Sequence, residues 1–70
     1  MEGRLKIRVN GAEQELAPGT SVAGLIAELQ LRPELVAVEV NRELVPRAER
    51  EARTLLEGDS VELVTLVGGG

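Results

Sequence analysis

Residues 4–9 alternate polar and apolar without a break, Arg4-Leu5-Lys6-Ile7-Arg8-Val9, which places Leu5, Ile7 and Val9 on one face of a strand. Asn10-Gly11 follows, a pair suited to the type I′ turn, whose two central residues both need positive φ. A returning strand is predicted over about 12–17, with Leu16 its clearest inward residue and Pro18-Gly19 the turn that ends it. Then the period changes. Val22, Leu25, Ile26 and Leu29 stand at i, i+3, i+4 and i+7, the stripe of an amphipathic helix that Thr20 or Ser21 can cap. Gly24 weakens that helix by about 1 kcal/mol relative to alanine, tolerable if the missing side chain lets the helix sit close on a sheet. Arg32 precedes Pro33 and is biased away from helical backbone angles, so the helix stops by about Leu31.

Residues 36–40 (Val-Ala-Val-Glu-Val) read as a third strand, Asn41-Arg42 as a turn, and Glu43-Leu44-Val45 as a short strand halted by Pro46. Between Arg47 and Arg53 arginines alternate with Glu49 and Glu51, the pattern of a solvated, self-paired helical turn. Glu57-Gly58-Asp59 is a strong turn signal, with Asp59 placed to stabilise it. Ser60–Val67 is the last strand, rich in β-branched residues. Alternation along it puts Val61, Leu63 and Thr65 on one face and Glu62, Val64 and Leu66 on the other. The expected core is Leu5, Ile7, Val9, Val22, Leu25, Ile26, Leu29, Val38, Val61 and Leu63.

The order is β-β-α-β-β-β with one main helix. A single sheet covered on one face buries the helix stripe and leaves its other face wet. For the first hairpin and the final strand to share that helix, the last strand must lie beside the first and parallel to it, both central. That is an α+β fold of the β-grasp, or ubiquitin-like, kind, a mixed sheet of four to five strands. The domain is expected to span residues 1–67, with 68–70 a flexible glycine tail.

Composition removes most chemistries. The 70 residues include no cysteine, no histidine and no aromatic side chain. Zinc-type metal sites, disulfides and His-based catalysis are thereby excluded, and no catalytic residue is expected on the chain. A net charge of −4, with no ring to stack on a base, opposes nucleic-acid binding. No apolar run approaches the roughly 20 residues of a membrane span, and the start of the chain lacks the apolar segment of a signal peptide, so a cytoplasmic protein is expected.

What remains is the end of the chain. Gly68, Gly69 and Gly70 bring no side chains and form a thin tail able to carry a carboxylate into a narrow pocket on another protein. Attack of that carboxylate on the α-phosphate of ATP would give an acyl-adenylate, which a sulfur or nitrogen nucleophile can open. Val64 and Leu66, apolar on the open face and leading to the tail, are candidates for partner docking. Glu62, with Glu57 and Asp59, can meet a basic surface.

The chain resembles the ThiS family, the sulfur carriers of thiamin biosynthesis. The resemblance rests on the Asn-Gly hairpin, Gly19-Thr20-Ser21-Val22 leading to Leu25 and Leu29, Val38, Asn41, Val45-Pro46-Arg47, Leu56, Gly58-Asp59 and the terminal Val67-Gly68-Gly69-Gly70. It implies a carrier that is a protein substrate and not an enzyme. An adenylating enzyme of the ThiF type, using ATP and Mg, activates Gly70. A sulfur donor system built on a cysteine desulfurase converts it to a thiocarboxylate, and thiazole synthase consumes the sulfur. The free carrier is expected to be a monomer. Related carriers stay open: the small subunit of molybdopterin synthase, usually longer and often with proline before its glycines where this chain has Leu66-Val67, and carriers for tRNA thiolation or cysteine synthesis. A ubiquitin-like modifier is a further alternative, for which Lys6 is the only lysine of the chain.

Overall fold

Strands β1 (Leu5–Val9) and β2 (Ala12–Leu16) form an antiparallel hairpin, with Leu5 opposite Leu16 and Val9 opposite Ala12. Asn10 and Gly11 turn it at φ of +52° and +85°, as the Asn-Gly pair requires. The computed structural model describes residues 3–66, so Gly68, Gly69 and Gly70 lie outside the described residues, as does Val67. Helix α1 (Val22–Glu28) follows, then β3 (Val36–Val40), the two-residue β4 (Glu43–Leu44) and β5 (Ser60–Thr65). The sheet order is β2-β1-β5-β3-β4, with β5 parallel to β1 and antiparallel to β3. The last strand thus takes the central place that its sharing of the helix demanded.

Ser21 caps α1, its Oγ accepting from the Gly24 N–H at 3.1 Å. The other end closes earlier than the pre-proline position suggested. Gln30 adopts φ +60°, its N–H donates to Ala27 O (3.0 Å), and Leu31 N–H donates to Ile26 O (3.2 Å). This Schellman closure stops the helix before Arg32 can exert its restriction, and Arg32 itself is extended as expected. Gly24 also serves another purpose than close approach to the sheet. A Cβ there would meet Thr20 Cγ2 at 3.3 Å and Ser21 Oγ at 3.6 Å, so the crowding comes from the helix's own cap.

Val22, Leu25 and Ile26 of the helix pack on Ile7, Leu16, Val36, Val38, Val40, Val61 and Leu63 of the sheet, all buried. Leu5, Val9 and Leu29, expected in the core, are only partly buried at its margin. Val45 and Leu55 are buried although neither belongs to a periodic stretch. Main-chain bonds put them there: Val45 N–H donates to Val38 O and Leu55 N–H to Thr20 O, each at 2.9 Å. Thr65 shares the inward alternation of Val61 and Leu63 but is exposed, because it lies beyond the last paired residue of β1. Among the described residues no helix is long and apolar enough to cross a membrane.

The segment after β4 departs most from the alternating-charge reading. A short 3-10 turn (Arg47–Glu49) leads to Arg50, which is 6% exposed. Its guanidinium donates through Nη1 to Pro33 O at 3.0 Å and through Nη2 to Val36 O. The segment is therefore docked and not self-paired; Arg53 approaches Glu43 of β4, at 3.9 Å, instead of a neighbour. Burial lowers the pKa of Arg50, helped by the nearby charge of Arg47, yet a guanidinium stays charged in proteins. The carbonyls of Arg50 and Arg53 in turn accept from Ala23 and Val22, two N–H groups that the start of α1 leaves without helical partners.

Candidate functional site: the central strand and its open face

β5 is the road to the glycine tail, and both its edges are held. Its even-numbered residues face β3: Asn41 N–H donates to Ser60 O (2.7 Å) and Leu66 N–H to Leu35 O (2.6 Å). Its odd-numbered residues face β1, where Asn10 N–H donates to Val61 O (2.8 Å). There β1 ends, and the carboxamide of Asn10 replaces it. Leu63 N–H donates to Asn10 Oδ1 (2.8 Å) while Asn10 Nδ2 donates to Leu63 O (3.2 Å), the two bonds a strand residue would make. Past Leu63 the ladder continues on the β3 side alone, to Leu66.

A second asparagine fixes the start of the strand. Asn41, at φ +53°, accepts from Ser60 N–H through Oδ1 and donates through Nδ2 to Asp59 Oδ1, both at 3.0 Å. Asp59 Oδ2 accepts from Leu56 N–H at 2.8 Å, which closes the turn before β5. Asp59 thus stabilises its turn as expected. Glu57 is similarly engaged, accepting from Lys6 N–H at 3.0 Å. Of the three carboxylates offered for a basic partner, Glu62 alone has no hydrogen bond or ion pair among the described residues. The roles of Asn10 and Asn41 went unread in the sequence beyond their turns; asparagine at two type I′ positions was the available signal.

The face of β5 away from the helix carries Glu62 and Val64, and Leu66 continues the alternation beyond it. Val64 is 56% and Leu66 51% exposed, as the alternation predicted. Register extends this face sideways. Glu39 of β3 lies opposite Glu62, Ala37 opposite Val64, and Leu44 of β4, 67% exposed, opposite Glu39. The β1–β2 side differs in character. There Lys6 and Arg8 alternate with Glu13 and Glu15 across the hairpin, Lys6 pairing Glu13 at 3.9 Å and Arg4 pairing Glu15 at 3.6 Å. One half of the open face sets Arg4, Lys6 and Arg8 against Glu13 and Glu15, with Arg8 in no ion pair among the described residues, and the other is apolar around two carboxylates.

A five-stranded mixed sheet with a parallel central pair and one helix on one face defines a β-grasp, ubiquitin-like protein. The ubiquitin of Caldiarchaeum subterraneum shares this fold, with a TM-score of 0.59 at 23% identity, covering 97% of this chain and all of that one. The family model described as the ThiS family matches residues 7–70, and the chain belongs to that family. It is similar to the crystal structure of a thiamine biosynthesis protein (ThiS) from Geobacter metallireducens: TM-score 0.82, 33% identity, 94% of this chain and all of the other. It is also 41% identical over 66 residues to the thiazole synthase of Magnetococcus marinus, covering 94% of this chain but only 20% of that protein. The chain thus spans about a fifth of the length of that relative.

Proposed function

We propose that this chain is a sulfur carrier for thiazole formation in thiamin biosynthesis, a substrate of partner enzymes with its chemistry at the Gly70 carboxylate. The observation that carries the reading is the extent of the family match. It runs to residue 70 and so takes in Gly68, Gly69 and Gly70 together with the fold, whereas the likeness to ubiquitin is one of fold alone. The relative named thiazole synthase, which includes a region similar to most of this chain, favours thiamin over the other sulfur acceptors.

The steps assign simple tasks to the chain. A ThiF-type enzyme holding ATP and Mg lets the Gly70 carboxylate attack the α-phosphate, and pyrophosphate leaves. A persulfide raised by a cysteine desulfurase attacks the acyl-adenylate and AMP leaves. Cleavage of the sulfur–sulfur bond by a further thiol leaves a thiocarboxylate, which thiazole synthase consumes. The last described main-chain bond is at Leu66, and the four residues beyond it span at most about 14 Å. Gly68, Gly69 and Gly70 supply a stem without Cβ atoms for a partner's channel. Val64, Leu66 and Glu62 supply the docking surface beside it, in the cytoplasm where these partners work.

The test uses the chain with the adenylating enzyme, desulfurase and thiazole synthase of the same source. Mass spectrometry should show oxygen replaced by sulfur at Gly70, and return of the carboxylate as thiazole forms. Deleting Gly70 should abolish adenylation and leave the melting temperature unchanged. Transfer of the sulfur only to another acceptor would overturn the thiamin assignment, and finding the chain mainly amide-linked to lysines would overturn the carrier.

A further inference from the structure

We infer that the open face centred on Glu39 and Glu62 seats thiazole synthase, and that the enzyme meets it with a basic side chain set in an apolar surround. This deepens the docking element of the sulfur-carrier reading and rests on it. The inference starts from a placement that folding does not favour. Glu39 and Glu62 are directly opposed on neighbouring strands in the middle of the sheet, and like charges so placed repel. Neither has a cation within ion-pair distance among the described residues, although three of the four ion pairs found there lie on or beside the same sheet. On the β3 and β4 side their neighbours Leu44, Ala37 and Val64 carry no charge, and on the β1 side Arg8, in register with Ser60, lies diagonal to Glu62 without forming an ion pair with it.

A surface of this composition selects its occupant. A second copy of the chain laid on it would bring four carboxylates together, and an anionic membrane or nucleic acid would be repelled. A guanidinium or ammonium group between the two glutamates would relieve their repulsion, while Leu44, Val64 and Leu66 would exclude water around it and strengthen the pair. Leu66 is the last described residue of this surface and directly precedes 67–70, so a protein that receives the tail is also placed to cover it. The linkage of a similar region to a thiazole synthase in one polypeptide makes that enzyme the occupant.

The experiment measures binding of the full chain to thiazole synthase of the same source by calorimetry, across a range of NaCl. Glu39→Gln and Glu62→Gln should each weaken binding about threefold to fivefold at low salt, the range of an exposed ion pair. The difference from wild type should shrink as salt rises and the Debye length falls to about 3 Å near 1 M. The same substitutions should raise the melting temperature by roughly 1–4 °C by removing the repulsion. Leu44→Ser should weaken binding at every salt concentration. Unchanged affinity in all three variants beside a wild type that binds would overturn the inference and leave the carrier reading standing. Self-association of the chain through this face, removed by Leu44→Ser in sedimentation, would also overturn it. A wild type that neither binds the enzyme nor delivers sulfur to it would remove both.

Discussion

Arg50 offers the sharpest test of how this small fold is held, because a surface reading and a buried reading of it differ several-fold in energy. β4 is only two residues long, so the carbonyl of Val36, directed to that side of β3, has no strand to pair with, and Arg50 Nη2 takes its place. Nη1 holds Pro33 O at 3.0 Å. Hydrogen bonds with one charged partner contribute about 1.5–3 kcal/mol each, so the two together contribute about 3–6 kcal/mol. Against this stands the cost of a desolvated cation whose Nε has no partner, about 1–3 kcal/mol. Arg50→Met keeps the aliphatic stem, removes both bonds and relieves that cost. The expected net loss is about 2–3 kcal/mol.

A 70-residue domain has roughly 3.5–10 kcal/mol of total stability, and 1 kcal/mol moves its melting temperature by about 4–8 °C. Arg50→Met should therefore lower that temperature by about 10–20 °C, read by circular dichroism, with a matching fall in the urea midpoint at constant slope. Arg50→Lys should fall in between, since one ammonium can satisfy one carbonyl but lacks the planar fork that spans two. A solvated arginine would lose less than about 0.5 kcal/mol on the same substitution. A fall of under about 3 °C for Arg50→Met would refute the docked clamp.

Three further outcomes follow from local geometry. Gln30 and Arg42 sit at φ +60° and +71°, a region that costs a residue with a side chain about 1–2 kcal/mol; Gln30→Gly and Arg42→Gly should each raise urea stability by about 0.5–1 kcal/mol after the extra chain entropy of glycine. Asn10→Gly keeps the turn's backbone but deletes the carboxamide that brackets Leu63, so stability should fall by about 1–2 kcal/mol and the Leu63 amide should exchange hydrogen faster. Glu34 has its pKa lowered from 4.5, first by its own backbone N–H and then by Arg32 and Arg47. Its ionised form therefore stabilises the fold above pH 4.5, and this is lost as pH falls through the lower folded value, so the stability gap between wild type and Glu34→Gln should close in acid.

The elements legible in the sequence were those whose signal is local. Leu5, Ile7 and Val9 alternate, Val22, Leu25 and Ile26 repeat on a helix, and Asn10-Gly11 names its own turn. Each of these conclusions needs no residue beyond about seven positions away. Arg50 was misread because its partners, Pro33 and Val36, are 17 and 14 residues distant, and an arginine among glutamates has the same local pattern whether docked or solvated. Leu55 is buried beside a main-chain bond to the distant carbonyl of Thr20, and Val45 beside one to Val38 across the Asn41-Arg42 turn, neither of which an apolar periodicity records. The apolar face of the candidate site, Val64 and Leu66, was legible by alternation. Glu39 and Leu44 were not, since their place beside Glu62 depends on the register of three strands.

These two kinds of information also divide the molecule by task. The helix side and the main-chain brackets at Asn10, Asn41 and Arg50 supply stability. The open half-face contributes little to it and contains one arrangement, Glu39 against Glu62, that reduces it. In a domain of this size the cost of that pair is a noticeable fraction of the whole, and lysine at either position would convert it into a stabilising cross-strand pair. A sequence shaped by folding alone would make that exchange. Its absence is explained if the carboxylates are matched in a complex and unmatched only when the chain is free. The side of the sheet where β5 loses its β1 edge and keeps only β3 is then organised for a partner: a fixed strand, an apolar border, two waiting carboxylates and the residues that lead to Gly70.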